Sequence, residues 1–240
     1  MIRGLQQERA AVEAVANHFA ATWREGVGPP DAFLTIAGKR IAVEVTTMLG
    51  RRSAAVAKPR LRFDKVALGL VGRLRANVGD SVPDGKAVIV TITAPIRLAS
   101  KTAAALEERI RKLLADRSAQ PRFTGTIHAN RIRVHVIEVG SHRTSKLIGF
   151  VHNPDSDPSI LFDVTRSLLA CIGPKLGART SAGFAEDRWL VIANEDGRSH
   201  IDTVRQIYSQ IALADEFQQV LMVLASGQVE TLSARAENGA

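Results

Sequence analysis

The chain has 240 residues, 45% hydrophobic and 23% charged, with 32 Lys and Arg against 24 Asp and Glu for a formal charge of +8. That composition belongs to a globular protein with a sizeable core. No apolar run approaches the ~18 residues needed to cross a bilayer, and a single cysteine, Cys171, excludes an internal disulfide and a cysteine-rich zinc site.

Residues 5–24 read as an amphipathic helix, with Leu5, Val12, Val15, Phe19 and Trp23 on one stripe. Gly26 and Gly28 end it, and Pro29 and Pro30 prevent its restart. A hairpin follows over about 32–47, turning at Gly38 and Lys39, with 41–46 as an alternating β-branched strand. A basic loop leads to a helix from Pro59 to about Asn77. The run 86–93 is apolar throughout, as in a strand covered on both faces, and Ser100 is placed to cap a helix over 101–117. Residues 123–139 suggest a hairpin or two strands, and 140–159 are rich in loop signals. A helix over 159–176, a strand at 189–193, a helix over 201–214 and a strand at 220–224 complete the pattern. Alternating strands and helices imply an α/β fold with a mixed central sheet flanked by helices, in one domain over 1–232 with a frayed tail over 233–240.

Asp31 opens the hairpin and Glu44 lies inside its second strand, on the face shared with Ala42 and Thr46. A Glu among Ile41, Val43 and Val45 is costly to bury unless it is paired or bound to a metal. Two carboxylates at one end of a hairpin suit a hard cation such as Mg²⁺. Glu8 falls within the apolar stripe of the first helix, where it serves either the helix dipole or such a site.

Pro30-Asp31 at the start of one strand and Glu44-Val45-Thr46 in the next resemble the active-site signature of the PD-(D/E)XK nuclease superfamily. The resemblance covers residues 1–75, and more loosely the α/β pattern beyond. It implies a restriction-endonuclease-like fold and metal-dependent hydrolysis of nucleic-acid phosphodiesters, DNA before RNA. Mg²⁺ or Mn²⁺ would be held by Asp31, Glu44 and Glu8. The family places Lys where this chain has Thr46; some members recruit the lysine from a neighbouring helix, and Lys65 and Lys58 are the candidates here.

The basic charge fits nucleic acid as the partner, with no membrane role, and a homodimer is compatible with it. Arg51, Arg52, Lys58, Arg60 and Arg62, with Lys65, Arg73 and Arg75 beyond them, would bind the phosphate backbone. The first eight residues lack the apolar stretch of a signal peptide, so a cytoplasmic protein is expected. A catalytically inactive nucleic-acid-binding protein with the same fold remains the alternative, because Thr46 supplies no charge. On this reading cleavage is slow and Thr46→Lys accelerates it. His128, His135 and His142 lie on different elements, and Asp155 and Asp157 are explained by turn chemistry.

Overall fold

The computed structural model describes residues 2–48, 61, 64–116, 118, 121–139, 145–176, 187–194, 201–211 and 216–234. The architecture is α/β, with two mixed sheets flanked by helices. Where the sequence analysis expects one sheet in one domain, the contacts fall into two compact units, each with its own sheet. Unit 1 comprises Met1–Ser53, Ala170–Tyr208 and Leu213–Ala240; unit 2 comprises Ala54–Leu169 and Ser209–Ala212.

Unit 1 begins with helix α1 (Ile2–His18). The helix stops short of the expected residue 24. Ala20 takes a left-handed conformation (φ 50°), with Ala21 N–H donating to Ala16 O and Ala20 N–H to Asn17 O, a paired C-terminal cap. Trp23, which continues the helical stripe in sequence, instead lies on strand β1 (Thr22–Glu25). The side chain of Leu5 lies outside the described residues.

Strands β2 (Ala32–Ile36) and β3 (Lys39–Met48) form the expected hairpin. Its two turn residues are Ala37 and Gly38, both at positive φ, and Ile36 pairs with Lys39. β3 then pairs in parallel with β8 (Asp187–Asn194), β8 with β9 (Gln219–Leu224), and β9 antiparallel with β10 (Val229–Ala234), giving the order β1-β2-β3-β8-β9-β10. β10 occupies part of the segment expected to fray. One sheet face (Val43, Val45, Trp189, Val191, Leu221) packs on Ala11, Val12, Val15 and Ala16 of α1.

Unit 2 holds α2 (Lys65–Val78), β4 (Lys86–Thr93), α3 (Ala99–Ala115), β5 (Arg122–Ile127), β6 (Asn130–Glu138), β7 (Leu147–His152) and most of α4 (Pro158–Ile172). Its strand order is β5-β6-β4-β7, with β7 parallel to β4. α2 and α3 cover one face through Leu70, Leu74, Leu106 and Ile110, packed on Val88, Val90, Ile132 and Val134. Asp64 caps α2, accepting from Ala67 N–H at 3.0 Å. α3 starts after left-handed Leu98 without the cap expected from Ser100; the Thr102 hydroxyl returns to Arg97 O at 2.9 Å. β7 was hidden from the sequence reading by the turn-rich residues on both sides of it. It is buried along its whole length, and Gly149 within it admits the Val71 side chain, which a Cβ would meet at 2.8 Å.

Asn130, 1% exposed, ties the β5–β6 turn to the start of α3. Its oxygen accepts from Arg97 N–H at 2.7 Å and its amide donates to Arg97 O and to Thr102 Oγ1, both at 2.9 Å. Every buried polar atom of that side chain is thereby matched.

Candidate active site

The hairpin register fixes the two carboxylates. Ala32 pairs with Val43, so the next residues outward, Asp31 and Glu44, come side by side at the end of the ladder. Asp31 Oδ2 accepts the Val45 N–H at 2.7 Å, and Asp31 O accepts the Gly26 N–H at 2.9 Å. The approach is close enough that a Cβ on Gly26 would lie 1.9 Å from Pro30 O. The glycine is thus needed for the loop that delivers Asp31.

A lysine that was not among the sequence candidates reaches both carboxylates. α4 ends at Ile172 and a single 3₁₀ turn, Gly173–Lys175, follows it. Lys175 Nζ lies 2.5 Å from Asp31 Oδ2 and 3.3 Å from Glu44 Oε2. On its other side Glu44 Oε1 accepts from Arg188 at 3.3 Å, and Arg188 also donates to Lys175 O at 3.1 Å. Glu44 is 1% exposed, and these two cations are what permits a carboxylate there. Burial works against the Lys175 charge, but the Asp31 hydrogen bond and the Asp31 and Glu44 charges outweigh it and hold the ammonium above its ordinary value.

Thr46 projects from the Glu44 face as expected, and its hydroxyl donates to Cys171 O at 3.0 Å. Burial pushes the neighbouring Cys171 thiol up to about 12, so it stays protonated and inert.

Glu8 borders a cleft of about 490 Å³ shared with Arg9, Trp23, Glu25, Gly26 and Asp31. Burial and then the Asp31 charge raise its carboxyl above the ordinary value, with Lys175 opposing. Two carboxylates aimed at one point fit Mg²⁺, which takes one or two protein carboxylates and completes its shell with water and phosphate. At that point stands the Lys175 ammonium. Among the described residues no group of three or more His, Cys, Asp or Glu side chains is arranged to hold a metal, so Glu8 is not brought into a three-carboxylate cluster.

Of the remaining sequence candidates, Lys65 is exposed at the first turn of α2, in unit 2. Arg51, Arg52, Lys58, Arg60, Arg62 and His142 lie outside the described residues. Arg73 donates to Glu107 at 2.9 Å and Arg75 to Leu147 O at 3.1 Å, so both brace unit 2. His128 sits in the β5–β6 turn, whereas His135 on β6 stacks 4.2 Å from Phe162. Asp157 accepts from Ser159 N–H at 2.9 Å, capping α4.

A further basic set lies on the Glu44 face of unit 1. Arg24 and Arg40 stack on Phe33 at 4.6 and 3.8 Å, and Arg188 pairs in register with Ala42.

Comparison of the chain with family profiles, curated proteins and solved structures returns no significant match. Among the described residues no helix is long and apolar enough to cross a membrane.

Proposed function

We propose that unit 1 is a restriction-endonuclease-like nuclease module acting on nucleic-acid phosphodiesters, DNA before RNA. The observation that carries this reading is the Lys175 ammonium in contact with both Asp31 and Glu44 while position 46 holds Thr. A lysine from the turn after α4, beside the two acids, supports the reading.

Asp31 and Glu44 are the residues that would hold Mg²⁺ or Mn²⁺. Such a cation, when bound, polarises a phosphoryl oxygen and lowers the pKa of its water. Lys175, whose side chain is 23% exposed, reaches solvent beside them and offsets the negative charge that grows on the attacked phosphate. Arg24 and Arg40 hold flanking phosphates by charge. Glu8, a carboxyl raised by burial in the adjoining cleft, is placed to exchange a proton with water there.

One observation favours a second reading, a nucleic-acid-binding protein without cleavage. Lys175 and Arg188 already neutralise Glu44, and a closed ion-pair network of this kind also serves as structure.

Cleavage of a fluorescent oligonucleotide with Mg²⁺ or Mn²⁺ by wild type, Asp31→Asn, Glu44→Gln and Lys175→Ala decides between them. Activity lost in all three variants is the expected result. Salt-sensitive binding without cleavage selects the second reading, and neither binding nor cleavage rejects both.

A further inference from the structure

Unit 2 carries a concave site of its own. Val90, Ile92, Ile132 and Val134 face the α2–α3 core, so the alternate residues Thr91, Thr93, Arg131 and Arg133 project from the opposite face of the sheet. There Arg133 pairs with Thr91 on one side and Thr124 on the other, Arg131 pairs with Thr126, and Thr93 pairs with His152. These seven side chains line a cavity of about 240 Å³, closed at one end by Ser156 and Pro158 at the start of α4.

Three features of the lining point to an anion. Thr91 is 4% exposed and its hydroxyl is buried with no hydrogen-bond partner among the described residues; a buried hydroxyl without a partner is costly, and a ligand oxygen would satisfy it. His152 is held at both ring nitrogens, Nδ1 lying 2.9 Å from Asn153 O and Nε2 3.3 Å from the Thr93 hydroxyl. Burial lowers its pKa, and the charges of Arg133 and Arg131 lower it further. The positive charge of the cavity therefore belongs to the two arginines. Among the described residues the cavity lining holds two arginines and no carboxylate; the nearby Asp157, which feels Arg133, is already engaged by Ser159 N–H. The volume is below the ~300 Å³ at which pockets begin to take drug-sized ligands, which suits a phosphate group and little else.

We infer that this cavity binds the phosphate group of a phosphate ester, with Thr91 Oγ1 and Arg133 as donors at its floor and Arg131 at its rim. The group comes either from a nucleic acid or from a small phosphate compound. The inference stands independently of hydrolysis in unit 1.

The test uses the full chain in chloride buffer. Inorganic phosphate and a 5′-phosphorylated oligonucleotide, beside its unphosphorylated counterpart, are titrated by calorimetry into wild type, Thr91→Val and Arg133→Gln. Phosphate should bind wild type and lose about 10-fold or more in each variant. In phosphate-free buffer Thr91→Val should raise Tm by about 2–4 °C, because it removes the unmatched hydroxyl; that result also shows that the variant folds. A phosphorylated oligonucleotide binding at least 10-fold tighter than inorganic phosphate, through its phosphate, identifies a nucleic acid as the source. Equal affinity identifies a small phosphate compound. Wild type that binds neither probe, or binding equal in wild type and both variants, overturns the inference. Asp31→Asn abolishes cleavage if unit 1 is a nuclease and leaves the Thr91- and Arg133-dependent binding in place, so failure of one reading is distinguishable from failure of the other.

Discussion

The Thr46 hydroxyl donates to the main-chain carbonyl of Cys171 at 3.0 Å. That carbonyl belongs to the last turn of α4, where carbonyls lack partners within the helix. One turn further on stands Lys175. Thr46 therefore anchors the segment whose Lys175 contacts Asp31 and Glu44.

Thr46 is consequently a positioning residue. Thr46→Val should cost about 1 kcal/mol of stability and lower cleavage by loosening Lys175. Thr46→Lys, which the sequence alone suggests as a repair, should lower activity instead, because it removes the anchor and sets a second ammonium beside Lys175. Cleavage rates with a denaturant melt of each variant check this, and an accelerated Thr46→Lys would sink it.

Lys175→Met should reduce cleavage by about 10²–10³ and destabilise by about 2–3 kcal/mol, since Glu44 keeps Arg188 but loses its other cation. The pH dependence follows from the raised pKa of Lys175. Its stabilising contribution is fully present below the ordinary value of 10.5 and is lost as pH rises through the higher folded value. Urea melts should therefore show a constant gap between wild type and Lys175→Met from pH 7 to 10, closing above 10.5.

Glu8 behaves in the opposite sense. Its folded carboxyl holds its proton to higher pH than the unfolded one, so its ionisation opposes folding above the folded pKa and has no effect below 4.5. Glu8→Gln should raise stability at pH 7–8 by less than about 1 kcal/mol, the side chain being only half-buried, with the gain vanishing below pH 4.5. Thermal melts across that range would expose the error if the gain persisted in acid.

Gly26→Ala should destabilise by about 3 kcal/mol or more, since the new Cβ has backbone, not a movable side chain, at 1.9 Å. Because the same loop delivers Asp31, cleavage should fall further than in a surface variant of equal stability, which parallel activity and calorimetric measurements would reveal.

The sequence made the hairpin and its two acids legible, because alternation over 41–46 and the Pro-Asp entry are local signals. Trp23 misled, since its spacing from Phe19 continues a helical stripe although left-handed Ala20 has already ended the helix. Lys175 could not be found locally: it follows Glu44 by 131 residues and has an ordinary post-helical context in Gly173-Pro174. The available clue was negative, a carboxylate pair in a signature whose lysine was missing. Arg131 and Arg133 alternate with core residues on β6, a pattern equally typical of a solvated sheet face.

The greater part of unit 2, Ala54–Leu169, is inserted in sequence between β3 and the last turn of α4, and β3 finds its parallel neighbour in Asp187–Asn194. At ~5–20 residues per second, a growing chain carries Glu44 for roughly 7–30 s before Arg188, 144 residues further on, exists. For most of that time Glu44 has neither of its cations and cannot be buried without loss. Unit 2 can close meanwhile on its own strands. Assembly of the carboxylate centre is thus ordered in time, and any hydrolysis it performs waits until β8 has been made.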